Sequence, residues 1–353
     1  MTGDLHRLNR RQIMRGIGAG LLGAALGRAL PGQVVRAATA GGPQEGIYVK
    51  AAPAARVSLV KGNDRRQITF AALKNIEEEI LAALGDKRVL IKPNFVSTSV
   101  QLAATHVDAV RGICDFLKPH YKGPITIAES TCSRDTTMAG YENFGYRALE
   151  AEYGAKLVDL NAQPFLYRYV IGRAHKPTAI RVNATLMAPD WFVISAAKMK
   201  THDRVVTTLS LKNVLVGAPV QDRRGNDKGL MHCDYTFRKD CLLHYNMFHL
   251  AQDIYPDLGV IDGFEAMEGN GPVGGTPVDA RVTLASMDAL ALDVLTTKIM
   301  GFDPGQIMYF SAFGEAGLGQ NDLSKIEVVG TPVEQCQCKF KLSTRLADVY
   351  DFG

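Results

Sequence analysis

From residue 55 onward, short apolar runs alternate with amphipathic stretches. Residues 55–60 have strand character. Residues 69–84 place Phe70, Leu73, Ile76, Ile80, Leu81 and Leu84 at helical spacing, with Glu77, Glu78 and Glu79 turned outward. The pattern then predicts a strand over 88–91, a helix over 107–117, a strand over 124–128, a helix over 146–153 and a strand over 156–160. Residues 167–171 and 179–182 read as a hairpin ahead of a buried strand, 191–195. Alternation resumes with a helix over 241–254, strands over 258–261 and 280–285, a helix over 288–300 and a last strand over 325–329. Apolar strands interleaved with amphipathic helices predict an α/β fold, with a mostly parallel, partly mixed sheet flanked by helices. No internal repeat interrupts it.

The first forty residues have a different character. Arg10-Arg11-Gln12-Ile13 precedes a weakly apolar stretch over 16–30, and Ala38-Thr39-Ala40 has the form of a cleavage site. That stretch holds five glycines and Arg28, so it is too polar to span a bilayer, and a twin-arginine export signal is the expected reading. The organisation expected is a signal over 1–40, a Gly/Pro/Ala linker over 41–54, one α/β domain over 55–335 and a tail over 336–353. No later run is long and apolar enough to cross a membrane. The implied location is periplasmic or otherwise exported, with the translocon as a partner.

Processing changes the charge. Six of the 40 basic residues and one of the 36 acidic ones fall within residues 1–40, so 34 and 35 remain and the apparent basic surplus disappears. A near-neutral chain argues against a nucleic-acid partner. Six cysteines are too few and too scattered to build the fold, or to form an iron–sulfur motif. Cys336 and Cys338 are the one close pair. A surface disulfide is expected there, with metal as the alternative.

Ligands of open α/β sheets bind beyond the carboxyl ends of the strands, so residues just after each predicted strand carry the candidate chemistry. Three such stretches are polar. The first runs Lys92-Pro93-Asn94, with Thr105-His106 opening the next helix; the second runs Lys198-Met199-Lys200-Thr201-His202 and leads to Lys212-Asn213. Lysines gathered beside Asn94, Asn213 and His202 suit a carboxylate or phosphate. The third, residues 262–272, carries Asp262, Glu265 and Glu268 in a Gly-rich stretch that includes Asn270. These acids could hold a divalent cation or pair with the lysines, and the sequence leaves both open. Cys241 and His244 share a helix face as soft-metal ligands do, although separate core and surface positions are the expected reading. No nucleophile elbow, Walker loop, dinucleotide fingerprint or H-E-x-x-H is present.

Taken in order, Val89-Leu90-Ile91-Lys92-Pro93-Asn94, Thr105-His106, Lys198 to His202, Leu211-Lys212-Asn213 and Gly217, Asp262-Gly263 and Met267 to Pro272 resemble the domain-of-unknown-function family numbered 362. The resemblance runs from about Ala55 to Val329. It implies twin-arginine export and redox or metallocofactor company, because members are often fused to a module with two four-iron clusters. The cysteines here do not reproduce that module, so its clusters are not carried over. Lys92, Asn94, His106, Lys198, Lys200, His202, Lys212, Asn213, Asp262, Glu268 and Asn270 stand at the family's motif positions.

The function expected is an exported enzyme that binds an anionic small molecule. Lys92, Asn94, Lys198, Lys212, Asn213 and Asn270 would hold the ligand, with His106, His202 and Lys200 as catalytic candidates. A metal on Asp262, Glu265 and Glu268 is a possible assistant. The alternative is a non-catalytic carrier of a metal or metallocofactor, using Cys241 and His244 and serving a periplasmic redox partner.

Overall fold

The computed structural model describes residues 52–233 and 236–352. Residues 1–40, where the export signal is expected, lie outside that range, as does most of the 41–54 linker. Within it the strands are β1 (Ala55–Lys61), β2 (Arg88–Lys92), β3 (Thr126–Glu129), β4 (Lys156–Asp159), β5 (Phe165–Ile171), β6 (Pro177–Asn183), β7 (Trp191–His202), β8 (Val206–Thr208), β9 (Gln221–Asp222), β10 (Gly225–Asn226), β11 (Leu258–Glu268), β12 (Thr276–Val278), β13 (Val282–Ser286) and β14 (Ile326–Gly330). The helices are α1 (Arg65–Lys74), α2 (Glu77–Leu84), α3 (Val107–Leu117), α4 (Thr137–Asn143), α5 (Ala148–Tyr153), α6 (Ser210–Leu215), α7 (Asp227–His232), α8 (Leu242–Ala251), α9 (Ala289–Ile299) and α10 (Met308–Glu315). No helix among the described residues is long and apolar enough to cross a membrane.

One 10-stranded sheet organises the chain in the order β14-β1-β13-β11-β7-β2-β3-β4, with β12 on β11 and β8 on β7. β7 runs parallel to both β11 and β2, and β2-β3-β4 continue in parallel. β13 is antiparallel to its two neighbours, which makes the sheet mixed. The carboxyl ends of β2, β3, β7 and β11 therefore point the same way. The predicted hairpin forms as β5 and β6, paired from Phe165↔Asn183 to Ile171↔Pro177.

Alternation along β7 splits the core. Phe192, Ile194 and Ala196 pack with Ile80, Val110, Ile113 and Phe116 of the α2 and α3 side. Val193, Ala197 and Met199 pack with Val214, Leu250 and Leu292 of α6, α8 and α9. This period of two gives the central strand two buried faces, as a parallel sheet requires.

Two strands outrun the sequence pattern. β7 continues seven positions past Ser195 to His202, and β11 continues past Ile261 to Glu268. The polar residues there look like loop by composition, but pairing persists: Asp262 faces Lys198, and Lys200, Thr201 and His202 face Thr208, Thr207 and Val206. Ladder bonds and burial hold these residues in strands despite their polarity. The stretch predicted as one helix over 69–84 is broken between α1 and α2. There Asn75 turns its amide to the Ser58 hydroxyl at 3.0 Å.

Residues 336–352 lie on the core, with Cys336, Phe340, Leu346 and Tyr350 buried. The disulfide expected between Cys336 and Cys338 is not formed: both are present as thiols. Cys336 is sunk in the core, while the Cys338 thiol points at the Cys336 carbonyl, 3.6 Å away.

Candidate functional site

Lys92, at the end of β2, is buried yet fully coordinated. Its Nζ donates to Glu129 at the end of β3 at 2.8 Å, to Asn213 Oδ1 at 3.2 Å and to the Pro93 carbonyl at 3.3 Å. Asn213 returns the contact: its Nδ2 donates to the Lys92 carbonyl and to Ser195 Oγ, both at 3.0 Å. The Asn213 oxygen also accepts from Asn94 Nδ2 at 3.2 Å. α6 carries Asn213, and its first N–H groups, from Ser210 and Leu211, are held by the buried Asp293 carboxyl group of α9 at 2.8 and 2.9 Å. Gly217 lets the chain close over this knot. A Cβ there would meet Asn213 O at 2.2 Å and Lys92 Cε and Nζ at 2.5 Å.

Beyond the knot lies a cavity of about 210 Å³, lined by Lys92, Glu129, Cys132, His202, Lys212 and Lys228, among others. It is smaller than the ~300–1,000 Å³ of drug-sized pockets and suits a small molecule. Two buried polar atoms on its wall, Asn94 Oδ1 and Thr208 Oγ1, have no hydrogen-bond partner among the described residues. Such atoms cost free energy unless a ligand or water satisfies them.

The charge of the chamber is unbalanced. Lys228 Nζ donates to Pro219 O at 2.6 Å, Gly217 O at 2.7 Å and Ser130 Oγ at 3.0 Å, and Lys200 Nζ donates to Ala103 O at 2.6 Å. Neither they nor Lys212 forms an ion pair with a carboxylate among the described residues, and Glu129, already bound to Lys92, is the one acid among the described residues that line the chamber with Lys92, Lys212 and Lys228. Burial pushes Lys212 down to about 8 and Lys228 down to about 7. Burial, then the charge of Lys212, drives Lys200 well below the ordinary lysine range.

His202 is buried, and desolvation, then Lys212, lowers its pKa, so its ring is neutral. The Arg204 N–H donates to Nδ1 at 3.1 Å, which puts the ring proton on Nε2. His232 stacks on it, centroid to centroid 6.0 Å, and hydrogen-bonds the Lys228 carbonyl through Nδ1 at 3.1 Å.

Asp262 centres a separate cluster on the α1 and α3 side. It pairs with Arg65 at 3.1 Å and Lys198 at 3.7 Å, and accepts the His106 N–H at 3.0 Å. Burial alone would raise its carboxyl, but Lys198, Arg65 and that N–H hold it below the usual range. The His106 ring caps α3, its Nδ1 accepting from the Asp108 N–H at 3.1 Å. It is therefore occupied away from the chamber.

The acids of β11 do not share a site. Asp262 is spent on its cations, Glu268 pairs with Lys341 at 2.8 Å and Glu265 is exposed. Asn270 Oδ1 accepts from Thr344 N at 3.0 Å and Thr344 Oγ1 at 2.9 Å, fastening the C-terminal segment rather than lining the chamber. Cys241 turns its thiol to the Arg204 carbonyl at 3.8 Å, and His244 lies against the Tyr309 ring at 5.5 Å. Among the described residues no group of three or more His, Cys, Asp and Glu side chains could hold a metal ion.

Of the residues singled out in the sequence, the structure brings Lys92, Asn94, His202, Lys212 and Asn213 together at the chamber and leaves Lys200 outside its lining, while Glu129, Cys132, Thr208 and Lys228, which also line it, are not among those singled out. Glu129 ends a parallel strand, so the strand-end rule could have found it. Lys228 sits in a polar stretch, residues 221–229, that reads as ordinary surface.

The thylakoid-associated protein sll1697 of Synechocystis sp. is 31% identical over 175 residues, 49% of this chain and 52% of that protein. The chain thus spans about half the length of this relative. A crystal structure of a Thermotoga maritima protein aligns with a TM-score of 0.39 and 10% identity, over 73% of this chain and 60% of that one. The model of the family described as a domain of unknown function, DUF362, matches residues 89–298, a span that contains Lys92, Lys200, Lys212 and Asp262. The chain belongs to the DUF362 family.

Proposed function

We propose that the chamber binds a small carboxylate- or phosphate-bearing molecule and serves an enzyme reaction on it. One observation carries this reading: three buried lysines, Lys92, Lys212 and Lys228, line a chamber in which Glu129 is the one acid among the described lining residues, with the buried Lys200 near enough to feel the charge of Lys212. An anion entering the chamber would supply the missing countercharge, as buried charges require. Asn94 Oδ1 offers an acceptor, so the favoured ligand also carries a hydroxyl or amine. His202 presents an Nε2–H donor. Metal assistance and the carrier alternative draw no support from Asp262, Glu265 and Glu268, or from Cys241 and His244, whose surroundings differ.

Thermal denaturation with inorganic phosphate, malonate or malate tests the reading. A ligand at a hundred times its Kd adds about 2.7 kcal/mol of stability. Wild-type protein should gain stability with at least one of these anions, and Lys228→Met should lose most of the gain. Equal shifts in both proteins would place the anions elsewhere and remove the assignment.

Export is proposed with it, on the Arg10-Arg11 pair and the Ala38-Thr39-Ala40 site. In a bacterial host the full chain should yield a shortened periplasmic product, and a doubly substituted Arg10→Lys, Arg11→Lys chain should not. Unchanged processing of that variant would exclude the twin-arginine route.

A further inference from the structure

We propose that Lys212 is a nucleophile whose ε-amine forms an imine with the carbonyl carbon of an aldehyde or keto acid held in the chamber. The proposal rests on the anion-binding reading above. It starts from a difference among the four lysines. Lys92, Lys200 and Lys228 each have their Nζ fixed by acceptors 2.6–3.3 Å away. Lys212 is 5% exposed and lines the cavity with Lys92 and Lys228, yet its Nζ makes no hydrogen bond or ion pair to the described residues and opens on that cavity. A buried ammonium without acceptors is costly, whereas a neutral amine needs none.

The position is also rigid. The next residue, Asn213, is tied to Lys92, Asn94 and Ser195, and the N–H groups just before Lys212 are held by Asp293. An amine on a fixed stem beside an anion subsite is placed to meet a carbonyl on the same small ligand. Burial pushes this amine down to about 8, so a useful fraction is free base near neutral pH. The nitrogen lone pair attacks the carbonyl carbon, and the C=O electron pair moves to oxygen. Both amine hydrogens end on that oxygen, which leaves as water and leaves a C=N bond. No oxidant or further reactant is needed. The Nε2–H of His202 is available to hydrogen-bond the developing oxyanion.

Glyoxylate, a carbonyl next to a carboxylate, is the probe, with cyanoborohydride to reduce the imine and peptide mass mapping to locate it. Wild-type protein should acquire a carboxymethyl group at Lys212 at least about tenfold faster than at the exposed Lys118 and Lys122. The rate should rise with pH and level off above about 8. Lys212→Arg keeps the cation and cannot form the imine. It should lose the adduct, with its circular dichroism unchanged, while anion stabilisation is read on the wild-type chain. Anion stabilisation without a Lys212 adduct would overturn the imine and leave the binding reading standing. Absence of both would overturn the binding reading with it. Labelling no faster at Lys212 than at Lys118, read on the wild-type chain, would defeat the proposal even if the variant fails to fold.

Discussion

Lys92 and Asn213, 121 positions apart in the chain, hold each other twice: the lysine ammonium donates to the Asn213 oxygen, and the Asn213 amide donates to the Lys92 carbonyl. One side chain thereby locks the end of β2 to α6. The chamber wall depends on this reciprocity, because Asn94 and Ser195 share the same amide.

Asn213→Ala should consequently cost about 3 kcal/mol, since it strips one acceptor from the buried Lys92 ammonium and leaves other buried polar groups unsatisfied. Urea unfolding measures this. Anion-induced stabilisation should fall together with the fold stability, and a loss below about 1 kcal/mol would show that the knot is not the anchor described.

The pH dependence of stability tests Lys212. Its ammonium carries the full burial penalty below about 8, where folded and unfolded chains both hold the proton. Between about 8 and the ordinary value of 10.5 the folded chain releases the proton first, so stability should rise with pH across that window. At 1.36 kcal/mol per unit the gain is at most about 3 kcal/mol. Lys212→Met should therefore be more stable than wild type at pH 6.5, and the gap should close by pH 10.5. A variant less stable than wild type at pH 6.5 would contradict the unpaired, buried cation.

Asp262→Asn addresses the other cluster. Removing the carboxylate leaves Lys198 buried without a counterion, at a cost of about 3–5 kcal/mol by analogy with other broken buried pairs. The Asp262 carboxyl is held below the usual range, so its contribution is present above ordinary carboxylate pH and disappears as pH falls through the lowered value. Between the ordinary carboxylate value and the lowered one, wild-type stability should accordingly fall more steeply with acid than the remaining carboxylates alone would give. In the variant, that step should be missing from the stability-pH curve.

The architecture was legible in the sequence wherever apolar periodicity was clean. The β2, β7 and β13 cores and α3 follow from it, because their packing faces are continuous. It failed at the carboxyl ends of β7 and β11, where Lys198, Lys200, His202 and Asp262 occupy buried strand positions. Polar composition there cannot be told from a loop, since the ladder partners that keep those residues extended come from distant parts of the chain. The same limit hid Lys228. Its three acceptors belong to Ser130, Gly217 and Pro219, and nothing near Lys228 in the chain announces them. The β11 acids were read together because they are close in sequence, yet pairing sent Asp262 to Lys198 and Glu268 to Lys341.

The register between β7 and β11 has a further consequence. Asp262 faces Lys198 and Met267 faces Lys200, so β11 uses five steps where β7 uses two. The surplus bows outward, with Glu265 exposed and the Phe264 ring under the Arg65 guanidinium at 4.9 Å. Such a bulge absorbs residues without displacing the strand on either side. Insertions or deletions arising there over evolutionary time would leave the Leu258–Asp262 ladder in register while repositioning the rim that follows. Divergence of that rim among descendants of this fold thus has a mechanical route that spares the core.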